Sequence, residues 1–578
     1  MLKYSAVRQY GDNGSSASSA SEESTDSRRV SFSHQAEPHG ADMSPSLELH
    51  YERNLGAMAP SKIKSTFEKN LPMVLQDPGL PRFIKALLVE KMSAMARILG
   101  DMALQSPSEL LMRSDREGSH FDQYAEVSTR LKAALIMHKD PAGVTFSGRS
   151  LKLFSWCQAE LKETRHPLVN VLLARLSEET RKEAEVKFDR LADISNLLVL
   201  QITCGDDIAD NIQDEELVPI FVSIPLSDKA REAQGSMCRA AALAFVIEHR
   251  GGIFAPYYET AVTIWDDATS QLRGLFGAHW DTIEPDFLQL HEKAMHSLTY
   301  SILMNIDPLD PAINLGSILD NLAPNMMIEC FRFLEKALTL QIAASESISL
   351  PESDFAICDG IVVQSQKSAS LANSTATASR EMRESDISNP IPFELNGAYM
   401  DSLGDRPFAP IFEAFLKANG YDNHFFSHYY ASGKPPEDFN CLSLLMLRKM
   451  AISQIVVNLN TLTFAPSPED YALDHLADKA LERISKSHNR QNALIGETLS
   501  KFKQHVLLID SFFESILKET NVETHLFEIW KQGIDEMRTK AVSIQEPTLK
   551  KHAETYVTSW EDFLCMYLLF KRAYDGTI

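Results

Sequence analysis

Residues 197–214 read LLVLQITCGDDIADNIQD, an apolar run that ends in three carboxylates, Asp206, Asp207 and Asp210. Continued as an α-helix, the stretch places Asp207 and Asp210 on one face about a turn apart, with Asp206 beside them. Its apolar half, Leu197 to Ile202, needs a core, and burying it carries the carboxylates toward the interior or the mouth of a cavity. Three negative charges in that position are costly unless cations bind. Negative charge also opposes the macrodipole at a helix C-terminus, so a solvated helix end is a poor use for these residues. The pattern predicts a divalent metal site.

The surrounding chain reads as helix almost throughout. Segments such as PRFIKALLVEKMSAMARILGDMAL (81–104) repeat apolar residues every three or four positions, and strand-like alternation is scarce, which predicts an all-α protein. Helices are expected at 150–162, 167–176, 178–213, 228–249, 257–275, 284–304 and 315–345. Further helices are expected at 408–418, 440–462, 470–518, 522–544 and 547–574. Residues 1–45 are rich in Ser and Glu and poor in large apolar side chains, so they read as a disordered tail. Within that tail, Arg28-Arg29-Val30-Ser31 has the form of a basophilic kinase site, a short pattern that also arises by chance. Residues 46–578 read as one all-α domain, interrupted at about 345–389 by a Ser-rich stretch expected to be a surface insertion.

Composition narrows the function. A formal net charge of −23 argues against a phosphate-backbone binder, which needs clustered Lys and Arg, so no nucleic-acid partner is expected. The seven cysteines stand singly without a CxxC pair, as in a reducing compartment, and are expected to be reduced and mostly buried. No stretch is long and apolar enough to span a membrane, and the start lacks signal-peptide character, so a cytoplasmic protein is expected. Glycine-rich phosphate loops and GxSxG elbows are absent.

Asp-Asp-x-x-Asp at the end of an apolar helix suits Mg²⁺, a hard ion that takes a few carboxylates together with substrate phosphate oxygens. Such a site over a dry cavity can draw a diphosphate leaving group from an allylic carbon. Asp206-Asp207-Ile208-Ala209-Asp210, with its apolar lead and the following Asn211 and Asp214-Glu215-Glu216-Leu217, resembles the aspartate-rich motif of class I terpene synthases of bacterial type. LTYSILMNIDP (298–308) and NLAPNMMIECFRFLEKAL (321–338) resemble segments that lie between the metal motifs of those cyclases, so the likeness covers about residues 150–578.

The resemblance implies a helical bundle around an apolar cavity, Mg²⁺ on Asp206, Asp207 and Asp210, and a prenyl diphosphate substrate. It also implies a catalytic role for Asp207. The family's second metal motif, Asn or Asp followed at four-residue steps by Ser or Thr and then Glu, is not kept here. Within RKMAISQIVVNLNTLTFA (448–465), Asn458 and Asn460 remain as neutral oxygen ligands. A rival placement uses Asn489, Ala493 and Glu497, which keep the ends of the pattern and lose its hydroxyl. Near the C-terminus, Arg572 and Tyr574 stand where related enzymes carry an Arg-Tyr pair that grips diphosphate, here spaced by one residue beside Trp560 on a terminal helix. A plain amphipathic helix with a surface Arg fits the same residues.

Other groups have bland readings. Asp266-Asp267 lacks a third carboxylate and reads as a solvated helix face. His424 and His428 have helical spacing for zinc but no third ligand in reach. Trp265, Tyr300, Phe331 and Phe333 can face a carbocation or simply fill the core. The expectation is a terpene cyclase acting on farnesyl or geranylgeranyl diphosphate. The alternative is a catalytically impaired helical protein that binds prenyl diphosphate or serves as a scaffold. Oligomeric state is not legible.

Overall fold

The computed structural model describes residues 80–92, 164–206, 216–252, 254–306, 313–384, 388–391, 481–487, 489–519 and 522–574, with a few isolated positions such as 120, 208, 209 and 214. All of them belong to one compact unit, Leu47–Ile578. Among the described residues every regular element is helical and no strand occurs. In chain order the helices are α1 (Arg82–Glu90), α2 (Pro167–Arg175), α3 (Glu178–Asp206), α4 (Val218–Val222) and α5 (Asp228–Ala233). Next come α6 (Arg239–Glu248), α7 (Ala255–Phe276), α8 (Trp280–Ile306), α9 (Leu315–Leu322) and α10 (Ile328–Ser345). The last four are α11 (Phe355–Glu384), α12 (Arg490–Glu519), α13 (Val522–Ser543) and α14 (Pro547–Tyr574). No helix among the described residues is long and apolar enough to cross a membrane.

Local chemistry sets most boundaries. Asn314 begins α9 with a capping box: its side chain accepts from the Ser317 N–H while Ser317 Oγ accepts from the Asn314 N–H. Three long helices expected from periodicity are each divided; in 470–518 the described residues Lys486, Ser487 and Asn489 are non-helical and α12 starts only at Arg490. The stretch 228–249 breaks where Gly235 takes a left-handed φ of 71°, and buried Arg231 donates to the carbonyls of Ile224, Leu226 and Met237 to hold the turn. The stretch 315–345 breaks at Pro324, which has no N–H to offer the carbonyl four residues back. A 3₁₀ turn follows at Ala323–Met326, and α10 starts after Met327 with φ 60°. Of the expected helix 178–213, Glu178–Asp206 is described as α-helix and residues 208 and 209 as a wider π-type turn, while 207 and 210–213 lie outside the described residues.

Two hydrophobic cores share this unit. The first is built by α3, α4, α6, α7, α8 and α10, and the second by α1, α11, α13 and α14. The short helix α2 serves both: Val169 and Leu172 enter the first core, Leu168 and Val171 the second. Where α2 meets α10, a buried polar knot forms. Arg332 Nη1 lies 2.9 Å from Glu335 Oε2, Arg332 Nη2 donates to Thr164 Oγ1 at 2.8 Å, and the His166 N–H donates to Glu335 Oε2 at 2.7 Å. His166 Nδ1 accepts from the Leu168 N–H and so caps α2. Burial holds the His166 imidazole below its ordinary pKa despite neighbouring Asp359 and Glu335.

The Ser-rich stretch is not a surface insertion. Most of it is α11, a 30-residue helix at the centre of the second core, packed on α10, α13 and α14. Ser365, Ser368, Ser370, Ser374, Thr375 and Thr377 are buried. Hydroxyls on a helix can be buried without outside partners when they bond back to their own carbonyls. Ser365 donates to Val362 O, Ser374 to Ser370 O, Thr375 to Leu371 O and Thr377 to Asn373 O, at 2.7–3.0 Å. Small side chains also let α13 come close: a Cβ at Gly533 would lie 2.9 Å from Ser368 Oγ.

Candidate metal centre

The long helix α3 delivers the first carboxylate. Every residue from Ile194 to Gly205 is buried, so the last three turns are enclosed on all sides rather than along one stripe. Thr203 disposes of its hydroxyl by donating to Val199 O at 2.8 Å. Gly205 lets α8 press against the final turn, since a Cβ there would lie 2.5 Å from Leu298 Cδ1. Asp206 follows, half-buried, at the end of α3, and Ile208 and Ala209 beyond it are again buried in the same core. Its Oδ1 accepts from Asn325 Nδ2 at 2.9 Å. Asn325 sits in the 3₁₀ turn that Pro324 imposes between α9 and α10.

A second group lies just beyond the motif in sequence. Asp214, Glu216 and His249 each offer a ligand atom, and these atoms lie within 4.8 Å of one another. The Asp214 carboxylate is buried; its Oδ1 accepts from the N–H groups of Glu216 and Leu217 at 3.1 and 3.2 Å, and its Oδ2 meets His249 Nε2 at 2.9 Å. His249 Nδ1 stands 3.5 Å from Glu216 Oε2, a carboxylate that is 70% exposed. The imidazole is fixed by stacking on Phe245, centroids 5.1 Å apart, and by Phe254 at 6.0 Å. An imidazole nitrogen with two carboxylate oxygens is a donor set that a divalent cation can use.

Of the expected site residues, Asp206 is the one whose surroundings are defined. Asp207, Asp210 and Asn458 lie outside the described residues, as do Asn460, His424 and His428. Arg572 and Tyr574 lie on the final turns of α14, and their side chains are outside the description. That helix is not amphipathic at its middle, because every residue from Trp560 to Leu568 is buried and Trp560 belongs to the second core. The rival second motif faces outward. Asn489 and Ala493 are exposed, and Glu497 is exposed and pairs with Lys501 at 2.9 Å, one turn along α12. Asn489 instead starts that helix, its Oδ1 accepting from the Gln491 N–H.

The remaining candidates fall into the core or onto the surface. Trp265 is buried against Phe287 and His291, and Phe331 is buried in the same core. Tyr300 shares a hydrogen bond with Ser317 at 2.8 Å, and Phe333 is half-buried. Asp266 pairs with Arg239 at 2.8 Å and Asp267 with His120 at 3.0 Å, as a solvated face would. Four of the cysteines, 204, 330, 358 and 565, are buried free thiols, while Cys238 is exposed.

Two partners escaped sequence reading, Asn325 and His249. The glycines after His249, Gly251 and Gly252 at φ 72° and 78°, and Pro324 before Asn325 marked chain reversals. Nothing local tied either residue to an aspartate. The carboxylate of Asp206, with one oxygen oriented by an amide N–H, fits a hard divalent ion such as Mg²⁺ in donor chemistry. No family model, no curated protein and no solved structure matches this chain.

Proposed function

We propose that this chain is a class I terpene cyclase-like enzyme that ionises a linear prenyl diphosphate in a Mg²⁺-dependent manner and cyclises the hydrocarbon. The observation that supports the reading is the enclosure of Ile194–Gly205 directly ahead of Asp206, so that the half-buried first aspartate of the motif ends a helix set in an apolar core. An all-α arrangement of the described residues is consistent with it.

On this reading Asp206, Asp207 and Asp210 hold the cation, and Asn458 supplies a further oxygen. Bound Mg²⁺ would supply the positive charge that stabilises the departing diphosphate. The chain's own groups then bind and exclude: Arg572 and Tyr574 donate to diphosphate oxygens, and the apolar walls of the helices keep water from the hydrocarbon. Farnesyl and geranylgeranyl diphosphates fit the reading equally.

The test is direct. Purified protein with geranyl, farnesyl or geranylgeranyl diphosphate and Mg²⁺ should release a hydrocarbon or terpene alcohol detectable by gas chromatography. Asp207→Asn should abolish turnover with the helical circular dichroism unchanged. No product from any of the three substrates would sink the enzymatic reading. The outward-facing Glu497 favours one second reading, a prenyl-diphosphate binder that has lost half of its metal grip. Metal-dependent binding of farnesyl diphosphate without product would select it.

A further inference from the structure

We infer that Asn325 is a positioning residue for Asp206: its amide orients the Asp206 carboxylate for a divalent cation. The inference rests on the proposed reading of Asp206 as a cation ligand. Three observations converge on it. The contact joins residues 119 positions apart in sequence, so it is made by the tertiary fold and not by helix geometry. The donor sits in a turn that the chain maintains under strain. Pro324 stops α9, and buried Met327, a residue type that rarely tolerates it, takes the left-handed φ of 60° that starts α10. The same short turn packs on α8, the helix pressed against Gly205 at the end of α3, so Asn325 and Asp206 are held from one common wall.

The chemistry suits the role. A carboxylate at a helix end rotates about two side-chain bonds, and a cation requires its oxygen in one orientation. An amide N–H on Oδ1 sets the carboxylate plane while leaving the ligand charge in place, as outer hydrogen bonds do for metal-binding side chains. A second contact between distant segments lies nearby in sequence, where His249 Nε2 meets Asp214 Oδ2 at 2.9 Å.

The experiment measures Mn²⁺ binding to the full chain by the loss of the free-ion electron paramagnetic resonance signal, without substrate. Wild type, Asp206→Asn, Asn325→Leu, Asn325→Ser and Asn325→Gln are compared, with thermal unfolding of the metal-free proteins as the fold control. Asn325→Leu and Asn325→Ser should weaken Mn²⁺ binding by about 10-fold or more at near-wild-type Tm. Asn325→Gln, which keeps the donor on a longer arm, should recover part of the loss. If Asp206→Asn weakens binding and both Asn325→Leu and Asn325→Ser bind as wild type does, the inference is overturned and the site reading stands. If wild type and Asp206→Asn bind equally, or neither binds, the site reading falls and takes the inference with it.

Discussion

Replacing Gly205 by alanine pits two effects of opposite sign against each other. In an exposed helix the change would be stabilising by up to about 1 kcal/mol, because glycine loses more backbone entropy on folding. Here the new methyl would stand 2.5 Å from Leu298 Cδ1 and 3.5 Å from Met295 Cε. Leu298 is 1% and Met295 0% exposed, so neither can swing outward. Overpacking a buried site costs about 1–3 kcal/mol, so the net expectation for Gly205→Ala is a loss of roughly 1–2 kcal/mol. The assay is thermal unfolding followed by helical circular dichroism, where about 2 °C per kcal/mol or less is expected for a chain of this length. Leu298→Ala alone should cost about 2–5 kcal/mol, but in that background Gly205→Ala should become neutral or stabilising because the clashing methyls are gone. A Gly205→Ala protein as stable as wild type, or a loss that persists unchanged beside Leu298→Ala, would refute the close approach of α3 to α8.

Three further outcomes are expected. His291 is fully buried among Trp265 and Phe287, and burial lowers its pKa to about 3, so its stabilisation is complete above the unfolded value near pH 6.5 and is lost as pH falls toward 3. His291→Phe should therefore flatten the stability curve over that window, and curves of the same slope for both proteins would contradict it. Glu335→Leu removes the carboxylate partner of the buried Arg332 guanidinium and should cost about 3–5 kcal/mol in thermal unfolding; a loss under about 1 kcal/mol would show that the knot between α2 and α10 is solvated. Ser368→Leu, facing Gly533 inside the second core, should lower Tm by several degrees, whereas a neutral result would mean that α11 is exposed as its composition suggests.

Helical character, and the position of several helix ends, could be read directly. Pro547 begins α14 and Val522 begins α13 where periodicity and flanking residues place them, because helix signals are local: a cap, a proline and an apolar repeat all act within a few residues. The interruptions at Gly235 and Pro324 were also written locally, in residues that favour a left-handed turn or lack an N–H, although periodicity ran across both. The buried face of α11 was not legible. Serine looks polar in composition, yet a helical serine that bonds its own preceding carbonyl presents little more than a small surface to its neighbours.

The candidate centre divides in the same way. The aspartate run and the apolar turns before it are a chemical statement made by neighbouring residues, and they suffice to propose a cation there. Which groups answer those aspartates is decided by contacts between distant segments: Asn325 at Asp206 across 119 residues, and His249 at Asp214 across 35. The solvent-facing position of Glu497 is likewise set by how α12 is turned, which residue spacing along one helix does not specify. Periodicity tells a helix which residues share a face. Only packing against other helices assigns that face to a cavity, a core or water, because burial is a property of the neighbours and not of the segment.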